Sequence, residues 1–93
     1  PDTDKTAVFE NGLDIKELQL LADALCQKAG GIRGAFSGAD GAFAFAICGE
    51  ETALGNFFAK FKAAFNTRGG GRNGIRQGTV CAERAEIERL FKE

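Results

Sequence analysis

Hydrophobic and polar positions alternate with two distinct periods along this chain, and the periods divide it into elements. Thr6-Ala7-Val8-Phe9 reads as a short strand, and Asn11-Gly12 then turns the chain. Asp14 followed three residues later by Glu17 is a capping-box pattern. The helix it opens carries Leu18, Leu21, Ala22, Leu25 and Ala29 on one face, at spacings of three and four. Gly30-Gly31 ends that helix. Ala35 to Ser37 and Ala42 to Cys48 read as two strands of a hairpin, joined by Asp40-Gly41, a pair suited to a type I′ turn. In the second strand Phe43, Phe45 and Ile47 alternate with Ala44, Ala46 and Cys48. Neither set is polar, which predicts a central strand covered on both faces, with the alanine face open to close approach by a helix.

A second helix is predicted from about Thr52 to Asn66, with Leu54, Phe57, Phe58, Phe61, Ala64 and Phe65 as its buried stripe. A loop from Thr67 to Gly78 follows. Thr79 to Ala82 reads as a strand, and a last helix over about Arg84 to Lys92 buries Ile87, Leu90 and Phe91. The expected fold is α/β (α+β): one small domain over residues 1–93, of order β-α-β-β-α-loop-β-α, with a mixed sheet packed by helices.

Composition narrows the functions open to such a domain. Ninety-three residues suffice for one core, and nine Phe with no Trp, Tyr or Met make it a phenylalanine core. No apolar run approaches the roughly 20 residues of a membrane span, and no signal peptide is visible. Cys26, Cys48 and Cys81 are odd in number and widely spaced. That fits a reducing, cytoplasmic setting and neither a disulfide framework nor a CxxC metal site. All three read as small buried apolar residues. The absence of His removes the commonest general base and metal ligand. No catalytic residue, metal ligand or cofactor is expected. Glu50-Glu51 reads as a helix-start pair favoured by the helix dipole. The glutamates around Arg84 and Arg89 read as a solvated face with weak local ion pairs. With Pro1 first and no Met, the chain is read as a piece of a longer protein.

Charge is unevenly placed. Net charge is −1, yet residues 1–23 hold six acids, and residues 60–78 hold Lys60, Lys62, Arg68, Arg72 and Arg76 with no acid. A local basic tract on a near-neutral protein points to a local anionic partner. Its centre, Arg68 to Gly78, packs five glycines and three arginines into eleven residues. Two readings are open. In one, the glycines expose backbone N–H groups as an anion nest, and a helical turn after them aligns Arg72 with Arg76 as phosphate ligands. In the other, the segment is a solvated, mobile connection. Lys60 and Lys62 extend the footprint in the first reading and form an ordinary solvated helix face in the second.

The stretch Phe43-Ala-Phe-Ala-Ile-Cys-Gly49, the helix after it, Gly69-Gly70-Gly71-Arg72 and Gln77-Gly78 resembles the DHH-associated C-terminal domain of alanyl-tRNA synthetases, alanyl-tRNA editing proteins and DHH-type phosphoesterases. That resemblance implies a tRNA-binding accessory domain, serving an aminoacylation or editing domain placed before Pro1, and able to dimerise. Gly69 to Gly71 with Arg72 would be the backbone contact, and Gln77 would orient it. The phosphoesterase branch carries His where Arg72 stands, which favours the tRNA branch. The alternatives are a substrate-binding half of a DHH-type phosphoesterase and a dimerisation module without a ligand.

Overall fold

The computed structural model describes residues 4–93, apart from the Ala29 side chain, so the expected place of Ala29 in the helix stripe lies outside the described residues. The elements are β1 (Lys5–Phe9), α1 (Ile15–Ala29), β2 (Ile32–Ala39), β3 (Ala42–Cys48), α2 (Glu51–Ala64), β4 (Asn66–Gly70), β5 (Ile75–Cys81) and α3 (Arg84–Lys92). The five strands form one mixed sheet of order β1-β2-β3-β5-β4, in which β1 and β2 are parallel and the other pairs antiparallel.

Local chemistry sets the helix starts. Asp14 Oδ1 accepts from the Glu17 N–H at 2.8 Å, and Glu17 Oε1 accepts from the Asp14 N–H at 3.0 Å, which completes the expected box. Gly30, at φ 69, ends α1 with its N–H donating to the Cys26 carbonyl. Glu50 caps α2 by accepting from the Thr52 and Ala53 N–H groups at 2.7 and 3.1 Å, and these bonds lower its pKa. On α3, Arg84 and Glu88 form the expected one-turn ion pair at 3.2 Å.

β3 is central and covered on both faces, as its two apolar sets predict. Leu18 and Ala22 of α1 pack on Ala35, Ala46 and Cys48. On the opposite face, Phe36, Phe43, Phe45 and Ile47 meet Leu54, Phe57, Phe58 and Phe61 of α2 and Ile87 and Phe91 of α3. Methyl-sized side chains bring α1 close to the sheet, and rings hold α2 and α3 over the other face.

Four expectations change. The strand expected at Ala35 to Ser37 runs from Ile32, because Ile32 and Arg33 pair with Lys5 and Thr6 of β1, and Arg33 is anchored to Asp4 at 2.8 Å. At Asp40-Gly41 only the glycine takes positive φ, so this is not a type I′ turn. Asp40 is committed elsewhere: its carboxylate accepts from the Arg84 N–H at 2.8 Å and fixes the start of α3. Ala64 is exposed at the end of α2, outside the buried stripe. Cys81 is exposed rather than buried, because it falls on the outward side of β5.

The largest difference is the segment 67–78. It is a β-hairpin, not a loop. β4 and β5 pair from Asn66↔Cys81 to Gly70↔Gln77, around Asn73-Gly74. Asn73 has φ 60 and Gly74 φ 87, the two positive values that a tight two-residue hairpin turn requires.

Candidate nucleic-acid interface

The hairpin turns the glycine run into strand backbone. Gly69 and Gly78 face each other, and both take positive φ, 139 and 153. A Cβ at Gly69 would overlap the Gln77 carbonyl and lie 2.8 Å from the Gly78 Cα. A Cβ at Gly78 would overlap the Arg68 carbonyl and lie 2.7 Å from the Gly69 Cα. Gly71, at φ 155, stands against the Ile75 carbonyl in the same way. These three glycines let two strands approach closely, which is a packing role. Gly70 differs, since a Cβ there would meet nothing within 4 Å.

The arginines separate. Arg68 is exposed on β4, and Arg72 is exposed next to the hairpin turn. Arg76 is not a free phosphate ligand. A strand, not a helical turn, carries it, and alternation sends its side chain under α2, where it is 9% exposed. Its guanidinium grips Glu51 in a fork, Nη2 to Oε2 at 2.6 Å and Nη1 to Oε1 at 3.1 Å, and lies 6.0 Å from the Phe58 ring centroid. Glu51 also accepts from the Gly74 N–H at 2.6 Å. One carboxylate therefore holds both the buried arginine and the hairpin turn to the start of α2.

The other expected residues fall in three places. Gln77 is half-buried on β5, opposite Gly70. Lys62 reaches over the Phe58 ring at 5.7 Å, on the same ring as Arg76. Lys60 lies in a groove with Lys5, Ile32, Asn56 and Phe57, against β1 and β2, so the two lysines diverge. The structure thus brings together Arg68, Gly69, Gly70, Gly71, Arg72 and Gln77, detaches Lys60, and removes Arg76. Among the described residues neither Arg68 nor Arg72 is ion-paired, and residues 60–82 contain no acid.

The fork predicts an acid response. Arg76, then the Gly74 N–H, holds the Glu51 carboxyl far below its ordinary 4.5, at about 2. A folded-state value below the unfolded one stabilises the protein above the unfolded pKa. That contribution fades as pH falls from about 4.5 toward about 2. In acid titrations followed by circular dichroism, Glu51→Gln is expected to remove this part of the decline, and to lower the urea midpoint at neutral pH. An unchanged acid limb would show that the fork contributes nothing. Arg76→Ala is likewise expected to lower the urea midpoint.

Burial, then a hydrogen bond with Cys26, pushes the Cys48 thiol up to about 12, so it stays protonated at neutral pH. Among the described residues no three Cys, Asp or Glu side chains gather as metal ligands, and no buried side-chain N or O atom lacks a partner. No helix among them is long and apolar enough to cross a membrane.

No family model matches the chain, and no curated protein matches it. Among solved structures it is similar to the C-Ala domain of Aquifex aeolicus alanyl-tRNA synthetase, with a TM-score of 0.66 and 18% identity. The likeness covers 100% of this chain and 97% of that one. At that identity it shows a shared fold, over the whole of this chain and nearly all of the other.

Proposed function

We propose that this chain is a nucleic-acid-binding accessory domain of an alanyl-tRNA synthetase-like or alanyl-tRNA editing protein, with tRNA as its partner. One observation carries the reading. The longest acid-free stretch of a near-neutral chain, residues 52–82, ends in a hairpin that presents Arg68 and Arg72, both exposed and unpaired among the described residues. Arginine's planar fork suits phosphate oxygens, and such contacts position a nucleic acid without reading its bases. The fold shared with a domain of an alanyl-tRNA synthetase supports tRNA over other polyanions. Arg72 after the three glycines supports the tRNA branch of the DHH-associated domains over the phosphoesterase branch. In this reading the domain performs no chemistry and carries no cofactor. It holds the nucleic acid for a catalytic or editing domain of the parent chain.

Phosphate contacts release counterions, so affinity must fall with salt. For about three contacts the slope of log K against log salt is about −2, which lowers affinity more than tenfold between about 50 and 200 mM salt. Fluorescence anisotropy with labelled tRNA tests this. Arg68→Ala and Arg72→Ala are each expected to reduce the slope by about 1. Salt-independent binding, or an unchanged affinity in the double variant, would refute the reading.

A further inference from the structure

The sheet register shows where on the hairpin a strand can lie. α1 covers β2 and β3, and its buried contacts are Ala35, Ala46 and Cys48. The opposite face holds Val80 in the ring core and Arg76 under α2. On the side of the sheet that faces α1, that helix reaches only the near part of β5, and β4 with the outer part of β5 has no helix core over it. Alternation puts Gln77, Thr79 and Cys81 of β5 there, with Asn66, Arg68 and Gly70 of β4 as their partners. Asn66, Arg68, Thr79 and Cys81 are exposed, whereas Arg76 and Val80, which point the other way, are buried.

The chemistry of this half-face is specific. Its rungs present an amide at Asn66, a guanidinium beside a hydroxyl at Arg68 and Thr79, and an amide at Gln77 opposite a bare glycine. It has no acid and no aromatic ring. A surface without rings offers no stacking platform for bases, whereas its donors suit phosphate and ribose oxygens. The open space above Gly70 lets a bulky backbone come close.

We infer that the open half-face of β4 and β5, through Asn66, Arg68, Gln77 and Thr79, is the seat of the sugar–phosphate backbone of an RNA strand, while Gly69, Gly71 and Gly78 shape the hairpin without touching it. The inference rests on the proposed nucleic-acid role and places that role on one surface, where charge complementarity selects the occupant.

Cys81 supplies the test, because it is exposed on this half-face while Cys48 is buried and Cys26 half-buried. The whole chain is treated with a bulky maleimide, with and without saturating tRNA, and alkylation of each cysteine is followed by peptide mass spectrometry. Bound tRNA is expected to slow Cys81 alkylation at least about tenfold, and Thr79→Glu and Arg68→Glu to weaken tRNA binding on the order of tenfold or more through like-charge repulsion. Lys92→Glu, a charge-matched change on α3, is expected to alter affinity by less than about threefold. If tRNA binds while Cys81 reacts at an unchanged rate, the seat is overturned and the nucleic-acid role stands. If Cys81 is shielded by raising the protein concentration without tRNA, a second copy occupies the face and the seat is overturned. If tRNA does not bind at all, the functional reading falls and the seat with it. The footprint on the unaltered chain decides the matter even where a glutamate variant fails to fold.

Discussion

Replacing Phe36 with alanine is expected to destabilise the domain by about 3–5 kcal/mol, the range for emptying a fully packed phenylalanine site. Phe36 is 0% exposed on β2 and lies among five other rings. The ring centroids of Phe9, Phe43, Phe45, Phe61 and Phe91 lie 5.1, 6.3, 6.0, 6.2 and 5.8 Å from its own. These partners come from β1, β3, α2 and α3, so the cavity would open where four other elements meet. Domains of this size have total stabilities of about 5–15 kcal/mol, so the loss is a large share of the whole. With urea slopes of about 1–3 kcal/mol per molar, the denaturation midpoint should fall by about 2 M. Phe65→Ala, at a half-buried site with one ring contact, to Phe61, should cost clearly less. Equal costs at the two positions would show that the rings do not form one cooperative core.

The second large effect is expected at the hairpin crossing. Gly78→Ala would drive a methyl group into the Arg68 carbonyl and hold an L-residue at φ 153. Forced overlap costs about 1–3 kcal/mol, and a disallowed backbone region about 1–3 more. Gly70→Ala, eight residues earlier in the same hairpin, meets nothing within 4 Å and should change stability by no more than about 0.5 kcal/mol. Thermal melts of the two variants separate the possible roles of the glycine run. A large cost at Gly78 and none at Gly70 means that the glycines serve strand approach. Similar costs at both positions would refute the crossing.

These two cases also mark how far the sequence could be read. The helices were legible because their signals are local: the Asp14–Glu17 box, glycine after α1, and apolar spacings of three and four. The double apolar alternation of β3 announced a strand covered on both sides, and the rings and alanines named the two faces. β4 and the start of β5 were hidden. Asn66 to Gly71 carries little apolar alternation, since glycine has no side chain to alternate, and the chain reads there as a flexible connection. Asn73-Gly74, just beyond that stretch, is a strong local hairpin signal.

The candidate site divides the same way. An acid-free, arginine-bearing segment is visible in the sequence from its chemistry alone, and Arg68 and Arg72 stay exposed in the fold. Arg76 carries the same charge and shares the four-residue spacing, yet its carboxylate partner, Glu51, lies 25 residues away on another element. Thr79 and Cys81 offer no charge pattern at all, and only strand alternation places them beside Arg68.

The sequence by itself determined the three helices and their starts, the phenylalanine core and the basic tract, because capping, periodicity and charge act between near neighbours; the end of α2, expected at Asn66, falls at Ala64 because Asn66 opens β4. Tertiary structure alone decided which arginine faces solvent, which glycines hold strands together and which half of the sheet stays open. Those outcomes depend on strand pairing and helix coverage between residues far apart in the chain, and no local pattern encodes them.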